Sequence, residues 1–251
     1  MRIKHFILLA LMSITTLACQ EANAKVTLIV GYGDHNSEPY AIEQGDRLYN
    51  GIIKDIASEV AAELDIDVKF VKTPRKRIER HLGNNTMHLY LIANPQWFSN
   101  SHQLQWSDEI FVERDKIVVR ADNNEIYNTL DDLKGMTIGA IRGYSYPTLQ
   151  PFFEQHHFKR YNVSSLQVNF IRLDLNRIDA FVDSEILIDY HQKHLKTPPS
   201  FRVLPLDVSQ HGIHAALSPQ APITLTQFNQ VLAKLKHEGV IAALLKKHKI
   251  K

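Results

Sequence analysis

Cysteine is almost absent. The chain has one, Cys19, and it sits inside an N-terminal stretch that reads as an export leader. Arg2, Lys4 and His5 open that stretch, an apolar run follows from Phe6 to Ala18, and Ala22-Asn23-Ala24 supplies a small-x-small cleavage site. Cleavage after Ala24 would leave a chain starting at Lys25 with no thiol. That excludes disulfides and cysteine nucleophiles, and a domain of this size buries enough core to do without staples. A rival reading makes Cys19 a lipidated first residue, but Thr16 stands where that pattern carries an aliphatic side chain. Long hydrophobic runs are also lacking. The stretch from Phe6 to Ala18 falls short of the roughly 20 residues that span a bilayer, and no longer run follows. An excess of one charge is missing too. With 29 Lys and Arg against 27 Asp and Glu, the formal net charge is +2. So even a balance gives no nucleic-acid footprint.

What is present is an alternation of short β-rich and helical patterns. Val26 to Val30 reads as a buried strand ended by Gly31-Tyr32-Gly33. Ile52, Ile53, Ile56, Ala57, Val60, Ala61 and Leu64 fall on one helical face, with Lys54, Asp55, Ser58, Glu59 and Glu63 opposite. Asp67 to Val71 reads as a strand, Arg75 to Leu82 as a helix closed by Gly83-Asn84-Asn85, and Met87 to Ala93 as a third strand. Such a β-α-β-α-β series predicts a mostly parallel sheet with helices on its faces. After Ile117 to Arg120 a second series begins. Strands are expected over 136–141, 167–171, 180–182 and 213–217, and helices over 147–157, 173–177 and 185–194. Thr224 and Gln227 have capping-box spacing ahead of an apolar face made of Phe228, Val231, Leu232 and Leu235.

Five segments, in order, resemble the bacterial extracellular solute-binding proteins of family 3. They are Gly51-Ile52-Ile53-Lys54-Asp55-Ile56, then Trp106-Ser107-Asp108-Glu109-Ile110-Phe111, then Asp132-Leu133-Lys134-Gly135 with Gly143 and Ser145 after it. Asn176-Arg177-Ile178-Asp179-Ala180 follows, lacking the glycine that the family motif has in place of Asn176, and Phe228-Asn229 through Glu238-Gly239 closes the set. The resemblance implies the two-lobed type II fold of periplasmic binding proteins, each lobe a mostly parallel sheet flanked by helices, joined by two crossover strands. Lobe 1 is expected over residues 25–118 with 208–251, and lobe 2 over 119–207. A small-molecule ligand would be gripped between the lobes by hinge closure. The implied partner is an inner-membrane permease of the ABC type, the implied location the periplasm. A monomer is expected, with no cofactor, no metal and no bond chemistry.

Several residues are candidates for ligand contact. Tyr40, after Glu38-Pro39, matches the family aromatic that packs on the ligand, and rings give contact area at little entropic cost. Asn94 and Trp97 follow the third strand, where family members present polar contacts and walls. Gly143, Tyr144 and Ser145 precede a helix expected to start at Pro147, so their amides and hydroxyl suit an anion. Asp183 matches the carboxylate that receives a ligand ammonium, a charge-assisted bond. The family's carboxylate-binding arginine is missing: counting back from Ser107 leads to Asn100, where planar bidentate recognition is lost. Arg77, favoured here, and Arg75 or Arg142 are the candidate replacements.

Two other classes stay open. Gly143-Tyr144-Ser145-Tyr146-Pro147 imitates a nucleophile elbow but ends in proline, and no context nominates its partners. A scaffold or sensor that kept the lobes and lost its ligand is the alternative raised by Asn100 and Asn176.

Overall fold

The computed structural model describes residues 25–33, 35–194 and 199–248. The expected leader, its cleavage site and Cys19 lie outside the described residues. The chain opens with β1 (Thr27–Tyr32), a short hairpin of β2 (Ile42–Gln44) and β3 (Arg47–Asn50), and helix α1 (Ile52–Leu64). Then come β4 (Asp67–Lys72), α2 (Ile78–Gly83), β5 (Leu89–Ala93), β6 (Gln105–Trp106) and the long β7 (Phe111–Arg120). The second series is β8 (Thr137–Ile141), α3 (Gln150–Glu154), β9 (Lys159–Val163), α4 (Leu166–Asp174), β10 (Ala180–Ser184) and α5 (Glu185–Lys193). A strand of 17 residues, β11 (Phe201–Leu217), leads to α6 (Leu225–His237) and α7 (Val240–His248).

The strands line up in the order β4-β1-β5-β11-β7-β10-β8-β9, with β6 also on β11. At one end β4, β1 and β5 run parallel; at the other β10, β8 and β9 do. Between these halves run β7 and β11, antiparallel to each other and long enough to belong to both. Helix α1 forms because its apolar residues recur at helical spacing, and the buried ones are those the periodicity selects: Ile52, Ile53, Ile56, Ala57, Val60 and Ala61. Burying each large aliphatic side chain is worth about 1.5–3 kcal/mol. Thr224 and Gln227 form the expected reciprocal cap at the start of α6.

The second half departs from the sequence expectation at several places, among them residues 173–177, which are the end of α4 and the turn after it rather than a helix of their own, and residues 201–212, which extend the strand expected over 213–217. Residues 167–171 are not a strand; they lie in α4. Ser165 caps that helix by accepting from the Val168 amide, and the buried Leu166, Asn169, Phe170 and Leu173 have helical spacing. The strand of this region is β9, a half-exposed edge with the sequence Lys-Arg-Tyr-Asn-Val, too polar to read as one. The helix expected over 147–157 shrinks to α3, because residues 147–149 form a turn. Asn176, where the family motif has glycine, takes φ 54. Asn tolerates that left-handed conformation by local hydrogen bonding, so the departure keeps the turn.

Candidate functional site

Three strands set the chemistry. On β7, Glu113 and Asp115 are alternate residues and so share a face. Antiparallel register puts Ser184 of β10 opposite Asp115, and Ser209 and His211 of β11 opposite Asp115 and Glu113. Glu113 is buried, 5% exposed, and accepts hydrogen bonds from the hydroxyls of Tyr40 and Ser184. Asp115 accepts from Ser209 Oγ at 2.6 Å. His211 Nε2 stands 3.9 Å from Glu113 Oε2, and its ring meets Trp97 edge-on at 5.0 Å. Asp183, 3% exposed, uses Oδ1 to accept from the Ser184 amide at 2.9 Å. Its other oxygen, Oδ2, is buried with no hydrogen-bond partner.

These groups border a cavity in which water centres can occupy about 70 Å³, room for several waters or a small solute. Both halves of the molecule build its walls. Tyr40, Arg75, Tyr90 and Trp97 come from the first half; Tyr144, Ser145, Tyr146 and Asp183 come from the second. The halves also touch directly, since Tyr144 Oη donates to the His35 carbonyl at 2.5 Å. A wider depression, about 460 Å³ by the same measure, shares Asn36 and Leu187 with the cavity and reaches Tyr190 and His194.

Burial governs the protonation of this cluster. It is the main cause that pushes Asp183 up to about 8, with the neighbouring charges of Asp115 and Glu113 adding to it. Asp115 is raised as well, again mainly by burial, against opposition from His211 and the Ser209 bond. Burial also drives the Tyr40, Tyr144 and Tyr146 phenols well above their ordinary range. Near neutrality, Asp183 of the ligand-free protein is therefore mostly a neutral acid.

Of the residues expected from sequence, Tyr40, Trp97, Tyr144, Ser145 and Asp183 line the cavity; Asn94, Arg77, Arg142 and Gly143 do not. Asn94 is occupied locally, donating to the Gly212 carbonyl and accepting from the Gln96 amide. The Arg75–Arg77 turn is a tight 3-10 turn, and it leaves Arg77 exposed while Arg75 faces the cavity. Arg75 Nη2 donates to the Trp97 carbonyl at 2.9 Å, and its guanidinium lies 4.6 Å from the Phe98 ring centroid. Arg142 is exposed where β8 ends, and Gly143 forms the turn after it at φ 83. Because α3 has only five residues and starts at Gln150, residues 143–145 do not lead directly into a helix. Glu113, Asp115, Ser184 and His211 were missed. Their signal was acidic residues at alternate positions of a strand, Glu113 and Asp115, interrupting an apolar run.

A two-halved α/β body with a largely apolar cavity, walled from both sides and edged by buried carboxyls, is the architecture of a solute clamp. The chain belongs to the bacterial extracellular solute-binding proteins, family 3, whose family model matches residues 28–250. Solved structures share its type II periplasmic binding protein fold. The GluR0 ligand-binding core in complex with L-glutamate is 13% identical, with a TM-score of 0.77 over 91% of this chain and 100% of that one. An ancestral arginine-binding protein bound to arginine is 19% identical, with a TM-score of 0.72 over 89% and 98%. An ancestral amino-acid-binding protein that is a precursor of cyclohexadienyl dehydratase is 21% identical, with a TM-score of 0.73 over 89% and 95%. No curated protein matches the chain.

Proposed function

We propose that this protein captures a small polar solute carrying an ammonium group, closing two lobes around it by a hinge and handing it to an ABC-type importer. The observation that carries the reading is Asp183 Oδ2, a buried and unpartnered acceptor at the wall of a cavity bordered by Glu113 and Asp115. Leaving such a group unsatisfied costs about 1–3 kcal/mol, which a ligand donor would recover. Aromatic rings complete the pocket: Tyr40 and Trp97 from one side, Tyr144 from the other. Arg75 takes the role first assigned to Arg77, a cation available to a ligand carboxylate. We assign lobe 1 to residues 25–118 with 208–251 and lobe 2 to 119–207, β7 and β11 being the crossovers. Export through the 1–24 leader, a periplasmic location and a monomeric state belong to the same reading. Binding, not catalysis, is the activity proposed.

A thermal-shift screen of amino acids, amines and organic acids tests it. A solute at a hundredfold excess over its Kd stabilises the protein by about 2.7 kcal/mol. A flat response across all three classes contradicts solute capture and favours a scaffold.

A further inference from the structure

Resting on the capture reading, we propose that the site selects ligands of net positive charge over neutral zwitterions, and binds them by exchanging the proton of Asp183 for the ligand's ammonium. The charge balance of the cavity points this way. Three carboxyl groups line it, Glu113 and Asp115 on β7 and Asp183 on β10. Arg75 is the one guanidinium among the lining residues, and His35 and His211 are the imidazoles. The remaining walls add no formal charge at neutral pH: phenols and hydroxyls such as Tyr40, Tyr144, Tyr146 and Ser184, the Asn36 amide, and apolar side chains. A zwitterion adds no net charge and leaves the acidic excess in place. An amine or a cationic amino acid offsets it.

Geometry supplies the exchange site. Glu113 is committed to Tyr40 and Ser184, and Asp115 to Ser209. Asp183 Oδ2 is buried at the cavity wall and has no hydrogen-bond partner. In the empty site that carboxyl holds its proton, chiefly because burial penalises its charged form, with the nearby Asp115 and Glu113 adding to the effect. When an ammonium arrives, Asp183 ionises, the proton leaves to solvent, and the new ion pair stays behind. Below the point where Asp183 ionises in the empty site, affinity then rises about tenfold per pH unit. His211 is a second titratable group beside these carboxyls, 3.9 Å from Glu113, so the Asp183 contribution has to be isolated by substitution.

Isothermal titration of the chain from residue 25 onward, with putrescine, lysine, glutamine and glutamate in buffers of differing ionisation enthalpy, tests this. The expected result is that putrescine or lysine binds tighter than glutamine and glutamate, with close to one proton released per ligand at about pH 7. Affinity should climb about tenfold between about pH 6 and about pH 7 in the wild type and flatten in Asp183→Asn. Preferential binding of glutamine or glutamate, binding without proton release, or an unchanged slope in Asp183→Asn overturns the exchange and leaves solute capture standing. Absence of binding by all four overturns the charge selection, and a flat response in the wider thermal-shift screen overturns solute capture as well. The proton count is taken on the wild type, so it holds even where the variant folds poorly.

Discussion

Tyr40 and Glu113, 73 positions apart in sequence, are joined by a hydrogen bond from the phenol to the carboxylate, and Ser184 donates to that same oxygen from β10. This three-way junction ties the loop ahead of β2 to β7 and to β10. Tyr40→Phe keeps the ring and deletes the donor. The expected loss is about 1–3 kcal/mol, because Glu113 stays buried with one partner fewer. Thermal denaturation checks it; for a domain of this size each kcal/mol lowers Tm by about 2–4 °C.

Asp183 makes the ligand-free protein sensitive to pH in an unusual direction. Its folded-state value of about 8 lies above the ordinary 3.8, so the folded protein binds a proton that the unfolded chain has released. Stability from this group is complete below the ordinary value and is lost as pH rises toward about 8, by up to about 1.4 kcal/mol per unit. Asp183→Asn removes that slope. Denaturant titrations of the two proteins at about pH 5 and about pH 8 should diverge, the variant gaining relative stability at the higher pH. Parallel behaviour would show that Asp183 ionises normally.

Asp55 behaves in the opposite way. It anchors the end of α7 to α1, taking hydrogen bonds from Lys247 Nζ and from the buried His248 Nε2, both at 2.8 Å. Burial alone would raise it, but those two partners outweigh burial and hold it below its ordinary value. Its stabilisation is therefore present above the ordinary carboxylate range and disappears as pH falls through the lowered value. Asp55→Asn should cost about 1–3 kcal/mol at neutral pH and lose less than the wild type on acidification, measured by urea unfolding at the two pH values.

Gly51 sits at φ 119, and a Cβ there would come within 2.6 Å of the Tyr40 carbonyl oxygen and 2.9 Å of that of Pro39. Those carbonyls accept from the first amides of α1, Ile53 and Ile52. Close backbone contact at this point thus fixes where Tyr40 enters the cavity. Gly51→Ala should destabilise by about 2–4 kcal/mol through strain and overpacking, and weaken ligand binding through Tyr40. Calorimetric unfolding gives the first and a thermal-shift titration the second.

The first half of the fold was legible because its patterns are long and regular. Helix α1 spans enough turns for the apolar stripe to declare itself, and the Thr224–Gln227 cap on α6 is a local motif. The second half was harder. A short mixed segment such as 167–171, Gln-Val-Asn-Phe-Ile, fits a strand or a helix equally, and only the Ser165 cap and the spacing through Leu173 decide for α4. In the site, Asp183 and Tyr40 could be named from their motifs. Arg75 lost to Arg77 because two residues apart on a tight turn point to different sides, which composition cannot tell. Glu113 and Asp115 acquire their meaning from β10 and β11, whose pairing with β7 joins residues about 70 and about 90 positions away.

A crystal structure with the tightest-binding amine from the solute screen tests the account most directly. The ligand nitrogen should lie about 2.7–2.9 Å from Asp183 Oδ2, with Tyr40, Trp97 and Tyr144 against its carbon chain. A ligand nitrogen held elsewhere, for example in the outer depression beside Tyr190 and His194, with Asp183 still unpartnered, would contradict it.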